Sequence, residues 1–320
     1  MTQLHSSSAQ SIAARLQSPD PGVRRLAVLD LVDSPDDEAA DLLGQALRDP
    51  DPAVRQEAAK LIDEFPAAEI ADVLLEALIA TDAEVRSAAA RSLADLKDPA
   101  AAPALLAALE GDDPFVLAAV LGAVKNYRLP AAKAPALRLL RHGSASVRLN
   151  ALLVLGYLGD ISTVPAIAAV LETDADDEVR RTAVDALQFG TPATVNTAIA
   201  TALLDSHWQV RAEAAKVAGR VKLTNVLQGL VAATSDTYWQ VQEQAVLSLG
   251  RLGAVQAVPA IGACTVNPSS NLRKAAVSAL GELAHPSGRQ YLDNALQDAD
   301  PDVRKIARWA LSKLASGGAS

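Results

Sequence analysis

One dipeptide recurs along the chain at an almost constant interval. Val-Arg or a close variant begins at ten marks: Val23, Val54, Val85, Val116, Val147, Val179, Val210, Val241, Leu272 and Val303. Eight of the nine intervals are 31 residues, and the interval from Val147 to Val179 is 32. A period of this length is typical of a repeat protein, in which each repeat packs on its neighbours. The spacing therefore predicts ten stacked repeats and a long surface that is suited to binding.

Each repeat has the pattern of two helices. In the third repeat, one set of positions follows the spacing i, i+3, i+4, i+7, i+8 and i+11: Val85, Ala88, Ala89, Ser92, Leu93 and Leu96. This spacing places them on one face of an α-helix. Stretches before the marks, such as residues 71–80, 102–109 and 164–171, are also helical in pattern. We call the earlier helix A and the later helix B, and we number the repeats 1 to 10 by their marks.

The turn between helix A and helix B carries its own signal. Asp-Pro stands there in four repeats, beginning at Asp20, Asp51, Asp113 and Asp300. Asp at this place accepts hydrogen bonds from free N–H groups of helix B, and Pro fits the first helical turn. Arg follows the hydrophobic residue in eight marks, with Leu117 and Gln242 as the exceptions. We expect each Arg to pair with the capping Asp of an adjacent repeat, which gives the row a structural role.

The motif Asp-Pro-x-Val-Arg-x-x-Ala-x-x-Ala-Leu resembles the HEAT-repeat family. The closer resemblance is to its bacterial phycobilisome-lyase-like branch of short HEAT-like repeats, and it covers almost the whole chain. Period and resemblance together predict an all-α fold, a right-handed α-solenoid of about ten two-helix HEAT-like repeats. We expect a single solenoid over residues 1–320. The fold hosts many unrelated roles, so the motif predicts architecture and leaves function open.

Composition restricts the class of partner. The net charge is −9, and no basic stripe is present, which argues against binding to nucleic acid or to an anionic membrane surface. The first ten residues lack a secretory signal pattern, and no apolar run reaches the roughly 18 to 20 residues of a membrane helix. With a single cysteine, Cys264, no internal disulfide is expected. The expected setting is cytoplasmic.

Catalytic motifs are missing from the sequence. The four histidines are scattered, and no His-Glu pair exists, whereas the HEAT-like deoxyhypusine hydroxylases bind two irons through such pairs. There is no Gly-rich phosphate loop and no supported Ser-His-Asp pattern. Cys264 ends an apolar stretch and is expected to be a buried small hydrophobe. We therefore expect no catalytic residue, metal or cofactor; a lyase-like activity would rest on the family resemblance alone.

Aligning the repeats shows where the pattern changes. Two residues before the mark, most repeats have Pro or a small residue, but repeats 7 and 8 have Trp208 and Trp239. The preceding residues are His207 and Tyr238, where six other repeats have Asp. We expect these two dipeptides to lie side by side on the row of A–B turns, which we call the turn ridge. Trp and Tyr are enriched at binding hot spots.

A second column lies ten residues after each mark, away from the core stripe. It holds Tyr157 and Phe189 and then Arg220 and Arg251, whereas the other repeats have charged residues or Asn. In HEAT-like stacks the B helices line the concave face, so the resemblance places this column in the inner groove. Seven of the ten aromatic residues fall between Phe115 and Trp239.

These observations predict a non-enzymatic protein-binding scaffold or assembly factor that uses the groove and turn ridge of repeats 4 to 8. The candidate partner-binding residues are His207, Trp208, Tyr238, Trp239, Phe115, Tyr157, Phe189, Arg220 and Arg251. The competing interpretation is that the aromatic rings fill gaps between turns and pack on Arg stems. Two alternative functions stay open: a bilin lyase-like or chromophore-handling protein with a tetrapyrrole ligand, and an adaptor in metal-cofactor or oxidoreductase maturation.

Overall fold

Paired helices make up the computed structural model, which describes residues 10–33 and 38–317. Those residues contain helices and short 3-10 turns and no strand, so the predicted all-α fold class is confirmed. The chain divides into two compact units, Met1–Leu158 and Gly159–Ser320, which we call unit 1 and unit 2. Each unit holds five repeats. The single solenoid over residues 1–320 stays a prediction.

Unit 1 alternates A and B helices. Its A helices are residues 10–16, Ala39–Leu47, Ala67–Leu78, Ala102–Ala108 and Lys133–Leu139. Its B helices are Pro21–Leu29, Pro52–Lys60, Ala83–Asp95, Pro114–Val124 and Ala145–Leu158. In repeat 2 the B helix is short and continues as a 3-10 turn, Ile62–Glu64.

Unit 2 repeats the same alternation. Its A helices are Val164–Thr173, Pro192–Ala202, Leu227–Ala233, Val258–Ala263 and Arg289–Ala295. Its B helices are Asp177–Ala186, Trp208–Arg220, Trp239–Arg251, Ser270–Leu283 and Pro301–Gly317. All ten B helices begin two residues before their marks.

The predicted caps and core positions are confirmed. Asp51 accepts a hydrogen bond from the Ala53 N–H at 2.8 Å, and Asp113 accepts one from Phe115 at the same distance. Eight of the ten marks are buried, and only Val23 and Val116 are half-buried. In repeat 4 the residue after the mark, Leu117, is 1% exposed. An apolar side chain thus enters the core where other repeats have Arg.

Arginine side chains link successive repeats, but the acceptor differs from the predicted one. Arg24 donates from Nε and Nη2 to the two carboxylate oxygens of Asp49, at 2.7 and 2.8 Å. Asp49 lies two residues before the capping Asp51 and accepts the Asp51 N–H at 2.8 Å. The predicted pairing with the capping Asp is therefore wrong, because the capping carboxylate is engaged by its own helix.

The same two-bond pair joins repeats in unit 2, and we call the row the arginine ladder. Its three charged rungs there are Arg180–Asp205, Arg211–Asp236 and Arg273–Asp298. Between repeats 8 and 9 the rung is neutral, and Asn267 donates to Gln242 at 3.3 Å. The arginine Nη1 donates to two carbonyls of its own A–B turn, as Arg211 does to Asp205 and Ser206. Each rung therefore fixes two turns at once.

Glycine allows close approach of the B helices in unit 2. A Cβ atom at Gly219 would overlap the Ser248 side chain and lie 3.0 Å from the Ser248 Cα. At Gly250 it would lie 3.0 Å from the Ala279 Cβ, and at Gly281 it would meet Ala310. Small residues thus let these backbones pack directly on one another.

Candidate functional site

The aromatic residues of repeats 7 and 8 form a stack on the turn ridge. The Trp208 and Tyr238 rings lie 5.4 Å apart, centroid to centroid, at an interplanar angle of 13°. The His207 ring follows at 6.4 Å from Trp208 and 29°. Such offset stacking is a favourable arrangement for aromatic rings. The sequence prediction that these residues lie side by side is confirmed as geometry.

Exposure differs along this set. Tyr238 is 46% exposed and Trp239 is 36% exposed, whereas Trp208 is half-buried beneath its neighbours. Among the described residues no ring contact joins Trp239 to the stack. Large rings left in solvent on a turn are the kind of surface that a partner covers.

The arginine ladder holds the backbone under this stack. His207 and Tyr238 occupy N-cap positions, yet neither side chain makes a capping hydrogen bond. Instead Asp205 accepts the His207 N–H at 2.8 Å, and Asp236 accepts the Tyr238 N–H at 2.9 Å. The Arg211 guanidinium, bound to Asp236, also lies 5.9 Å from the Tyr238 ring centroid. The rungs on both sides of repeat 7 thus position the aromatic residues.

These ladder carboxylates are ionised well into the acid range. Burial by itself raises the pKa of Asp205, but hydrogen bonds from Arg180 and from the His207 backbone outweigh it and lower the pKa overall. The pKa of Asp236 is lowered in the same way, with Arg211 and the Tyr238 backbone as the donors that outweigh burial. The ladder therefore stays charged at neutral pH.

Carboxylate charge borders the stack on the side of repeat 6. Asp177 occupies the position that Trp208 and Trp239 hold in the next repeats, and its side chain is 44% exposed. Its Oδ2 lies 3.3 Å from the His207 Nδ1, without the geometry of a hydrogen bond. Exposed aromatic faces next to an exposed carboxylate suit a cationic side chain.

The second column is exposed in unit 2, but it does not form an isolated basic patch. Phe189 ends the 3-10 turn Leu187–Phe189 and is 52% exposed. Arg220 donates to the Gln188 side chain at 2.6 Å and lies 4.0 Å from an Asp185 oxygen. Arg251 is exposed at the end of its helix. Arg220 thus lies against repeat 6, next to Phe189.

The two candidates in unit 1 have separate surroundings. The half-buried Phe115 lies under the Arg86 guanidinium, whose Cζ is 4.5 Å from the ring centroid. Tyr157 is 44% exposed, with the Arg128 Cζ at 5.9 Å. Both rings pack on an arginine, as the competing interpretation of the aromatic residues expects.

Sequence reasoning missed three residues of the ridge, Asp177, Asp205 and Asp236, and expected a different Asp as the acceptor of Arg211. The signal for Asp205 and Asp236 was present in the alignment of the repeats, because Asp or Asn stands 25 residues after the ladder Arg or Gln wherever a rung forms.

Other chemistry finds little support in the described ranges. Burial raises the pKa of the Cys264 thiol to about 11, so the group is protonated at neutral pH and a poor nucleophile. Cys264 is buried, as predicted. The described part of the chain holds no group of three His, Cys, Asp or Glu side chains placed to hold a metal ion. Nor does any helix in residues 10–33 and 38–317 combine the length and apolar character needed to cross a membrane.

Fold and ridge together define an α-solenoid repeat protein. A family model described as HEAT repeats matches seven overlapping segments: residues 9–78, 41–125, 70–156, 133–198, 164–249, 195–269 and 258–319. The chain belongs to the HEAT-repeat family. No curated protein matches it significantly.

Solved structures show the same fold at low identity. An engineered protein is 21% identical, with a TM-score of 0.52, over 96% of this chain and 99% of its own. Kap95p, from a study of its binding to RanGDP, is 16% identical, with a TM-score of 0.62, over 96% of this chain and 48% of its own. The karyopherin Kap121p, bound to the extreme C-terminus of the phosphatase Cdc14p, is 13% identical, with a TM-score of 0.59, over 98% and 42%. This chain therefore spans less than half of the Kap95p and Kap121p chains.

Proposed function

We propose that the protein is a non-enzymatic binding scaffold or adaptor whose partner is another protein, and that the partner docks on the turn ridge. The observation that carries the proposal is the stack of His207, Trp208 and Tyr238, with Trp239 beside it, where other repeats place a capping Asp. A capping carboxylate stabilises its helix by about 1 kcal/mol, and both repeats have an aromatic ring in its place, which in repeat 8 is the exposed Tyr238. Exposed aromatic area gains free energy when a partner covers it.

The ridge favours a partner segment with a basic side chain. The Tyr238 and Trp239 rings are accessible, and Asp177 adds an exposed carboxylate next to His207. Lys or Arg side chains of a partner gain free energy where they meet an exposed ring or the Asp177 carboxylate. Phe189, Arg220 and Arg251 extend the proposed site over the B-helix ends of unit 2. In unit 1 Tyr157 remains a proposed contact, and Phe115 is better explained by its packing under Arg86.

Affinity capture with three matched proteins tests this proposal. Wild type, Trp208→Ala/Trp239→Ala and Trp309→Ala are immobilised and exposed to native lysate, and captured proteins are compared quantitatively. Trp309 is the matched control, because it is 41% exposed and lies on the last B helix rather than on the ridge. We expect a partner that wild type and the control retain and the ridge variant loses by about tenfold or more. Equal capture by all three folded proteins contradicts the proposal.

The two alternatives stay predictions, because no contact among the described residues favours a tetrapyrrole ligand or a role in cofactor maturation. Incubation with a bilin separates the first alternative from the scaffold, since chromophore binding changes its absorbance spectrum.

A further inference from the structure

The arginine ladder provides an internal standard for how its arginines bind carboxylates. In each charged rung Nε and Nη2 donate to the two oxygens of one Asp, at 2.7 and 2.9 Å in the case of Arg211. The Nη1 atom donates to carbonyls of the arginine's own turn. Two parallel charge-assisted bonds are the preferred arrangement between a guanidinium and a carboxylate.

Arg55 keeps only the Nη1 part of this arrangement. Its Nη1 donates to the carbonyls of Asp49 and Pro50, at 2.7 and 3.0 Å. The residue 25 positions later is Ala80, so the ladder carboxylate is missing. The Nη2 atom donates to Glu84 at 2.9 Å, while Nε makes no hydrogen bond to the described residues. The Arg55 side chain is 7% exposed and that of Glu84 is 78% exposed.

A cleft lies beside this arginine. It has a volume of about 450 Å³ and runs between the B helices of repeats 2 and 3. Its lining is mixed: Leu47, Ile62 and Ala88 contribute apolar side chains beside Arg55, and the polar residues are Gln56, Asp63, Arg91, Ser92 and Asp95. A concave site of this size is large enough for a small ligand, and its apolar residues lie next to the Arg55 side chain.

The other broken rungs of unit 1 leave no such arginine. Arg86 would need an acceptor at Gly111, but its guanidinium lies over the Phe115 ring instead. Repeat 4 has Leu117 in place of Arg, and that side chain is buried in the core. Only at Arg55 does a missing carboxylate coincide with a buried guanidinium and a cleft.

We propose that this cleft binds a small organic acid. Its carboxylate takes the place of the missing ladder Asp and pairs with Nε and Nη2 of Arg55, displacing Glu84. Its apolar body lies against Leu47, Ile62 and Ala88. The site is independent of the turn ridge, because it belongs to unit 1 and needs no partner protein.

Titration of the full-length protein with sodium butyrate tests the site, with the Arg55 Nε–H resonance in a ¹H–¹⁵N spectrum as the readout. The resonance is assigned by its loss in Arg55→Lys. We expect a saturable shift with butyrate and none with butyramide, which has the same shape without the charge. Glu84→Gln removes the competing carboxylate, so we expect it to tighten butyrate binding several-fold.

Substitution at Ala80 provides the matched pair of variants. Ala80→Asp rebuilds the rung from within the chain and is expected to weaken butyrate binding by about tenfold or more. Ala80→Asn adds a neutral group of the same size and is expected to retain most of the affinity. An equal response to butyramide, an unsaturable response, or unchanged binding in Ala80→Asp overturns the proposal.

Discussion

The two units differ in how their five repeats are joined. In unit 2 all four junctions between repeats carry a side-chain rung, three of them Arg–Asp and one Gln–Asn. In unit 1 the first junction carries the Arg24–Asp49 rung. At the other three the acceptor position holds a residue that is not Asp or Asn: Ala80, Gly111 and His142. The period is equally regular in both units, so regular spacing does not imply regular bonding.

The arginine ladder lets a turn lose its capping Asp and keep its conformation. In unit 2 the ladder Asp holds the backbone N–H of the residue before helix B, so the turn remains in place after the capping side chain is lost. His207 and Tyr238 are therefore tolerated there, and the exposed rings become available for recognition. In unit 1 the rungs to repeats 3 and 4 are lost while the Asp caps of these two repeats remain. At one of these lost rungs, where Ala80 stands in place of an Asp, a cleft lies beside Arg55.

Acidification is expected to have the largest effect, because it acts on three rungs of unit 2 together. The pKa of Asp298 is lowered mainly by its Arg273 hydrogen bond, and those of Asp205 and Asp236 are also lowered in the fold. Their contribution is fully present above the unfolded pKa of about 4 and is lost as the pH falls through the lower folded values. We expect the urea midpoint of unit 2 to fall between pH 5 and pH 3.

Tryptophan fluorescence reports this unfolding selectively, because all three tryptophans, Trp208, Trp239 and Trp309, lie in unit 2. Far-UV circular dichroism follows both units in the same samples. A fluorescence midpoint that is unchanged between pH 5 and pH 3 contradicts the role given to the ladder.

Removing one ladder carboxylate is the next largest change. Asp236→Ala leaves the Arg211 guanidinium, 14% exposed, without its partner, and a loss of about 3 kcal/mol in the free energy of unfolding is expected. Glu110→Ala is the control from unit 1, since its carboxylate is 67% exposed and the Arg138 side chain that it pairs with is 49% exposed. Its expected cost is at most about 1 kcal/mol. Equal losses in urea unfolding would remove the distinction between a rung and a surface ion pair.

Glycine substitutions compare the packing of the B helices. Gly219→Ala forces the new Cβ against Ser248, and a loss of about 1–2 kcal/mol is expected. The matched variant is Gly122→Ala in unit 1, where the new Cβ meets only the Asn150 side chain at 3.5 Å. Alanine favours the helix over glycine, so a gain of up to about 1 kcal/mol is expected there. Thermal unfolding distinguishes the two, and a loss at both sites contradicts the close-approach account.

Much of the fold follows from the repeat itself. The marks predicted where the B helices begin, because a capping Asp and a following Pro act within one turn of chain. The contacts between repeats were harder to predict, since the acceptor of Arg24 lies 25 residues away and two Asp residues of the same turn compete for it. The division at Leu158 falls within the one 32-residue interval, from Val147 to Val179, but the extra residue does not by itself predict a division. The division depends on contacts that the period does not encode.

The candidate site was predictable in part for the same reason. His207, Trp208, Tyr238 and Trp239 were identified because they interrupt an aligned column, and three of them do form one stack. Phe115 and Tyr157 also interrupt columns, but each lies beside an arginine that the alignment does not place there. Departure from a repeat therefore identifies unusual positions, and the contacts decide which of them are available to a partner.

Hydrogen–deuterium exchange of the full chain, with and without the partner that it captures, tests the central claim most directly. The account predicts slower exchange on binding in residues 206–211 and 237–242, the two turns that carry the aromatic stack. Protection confined to unit 1, or to the A helices of unit 2, would contradict it.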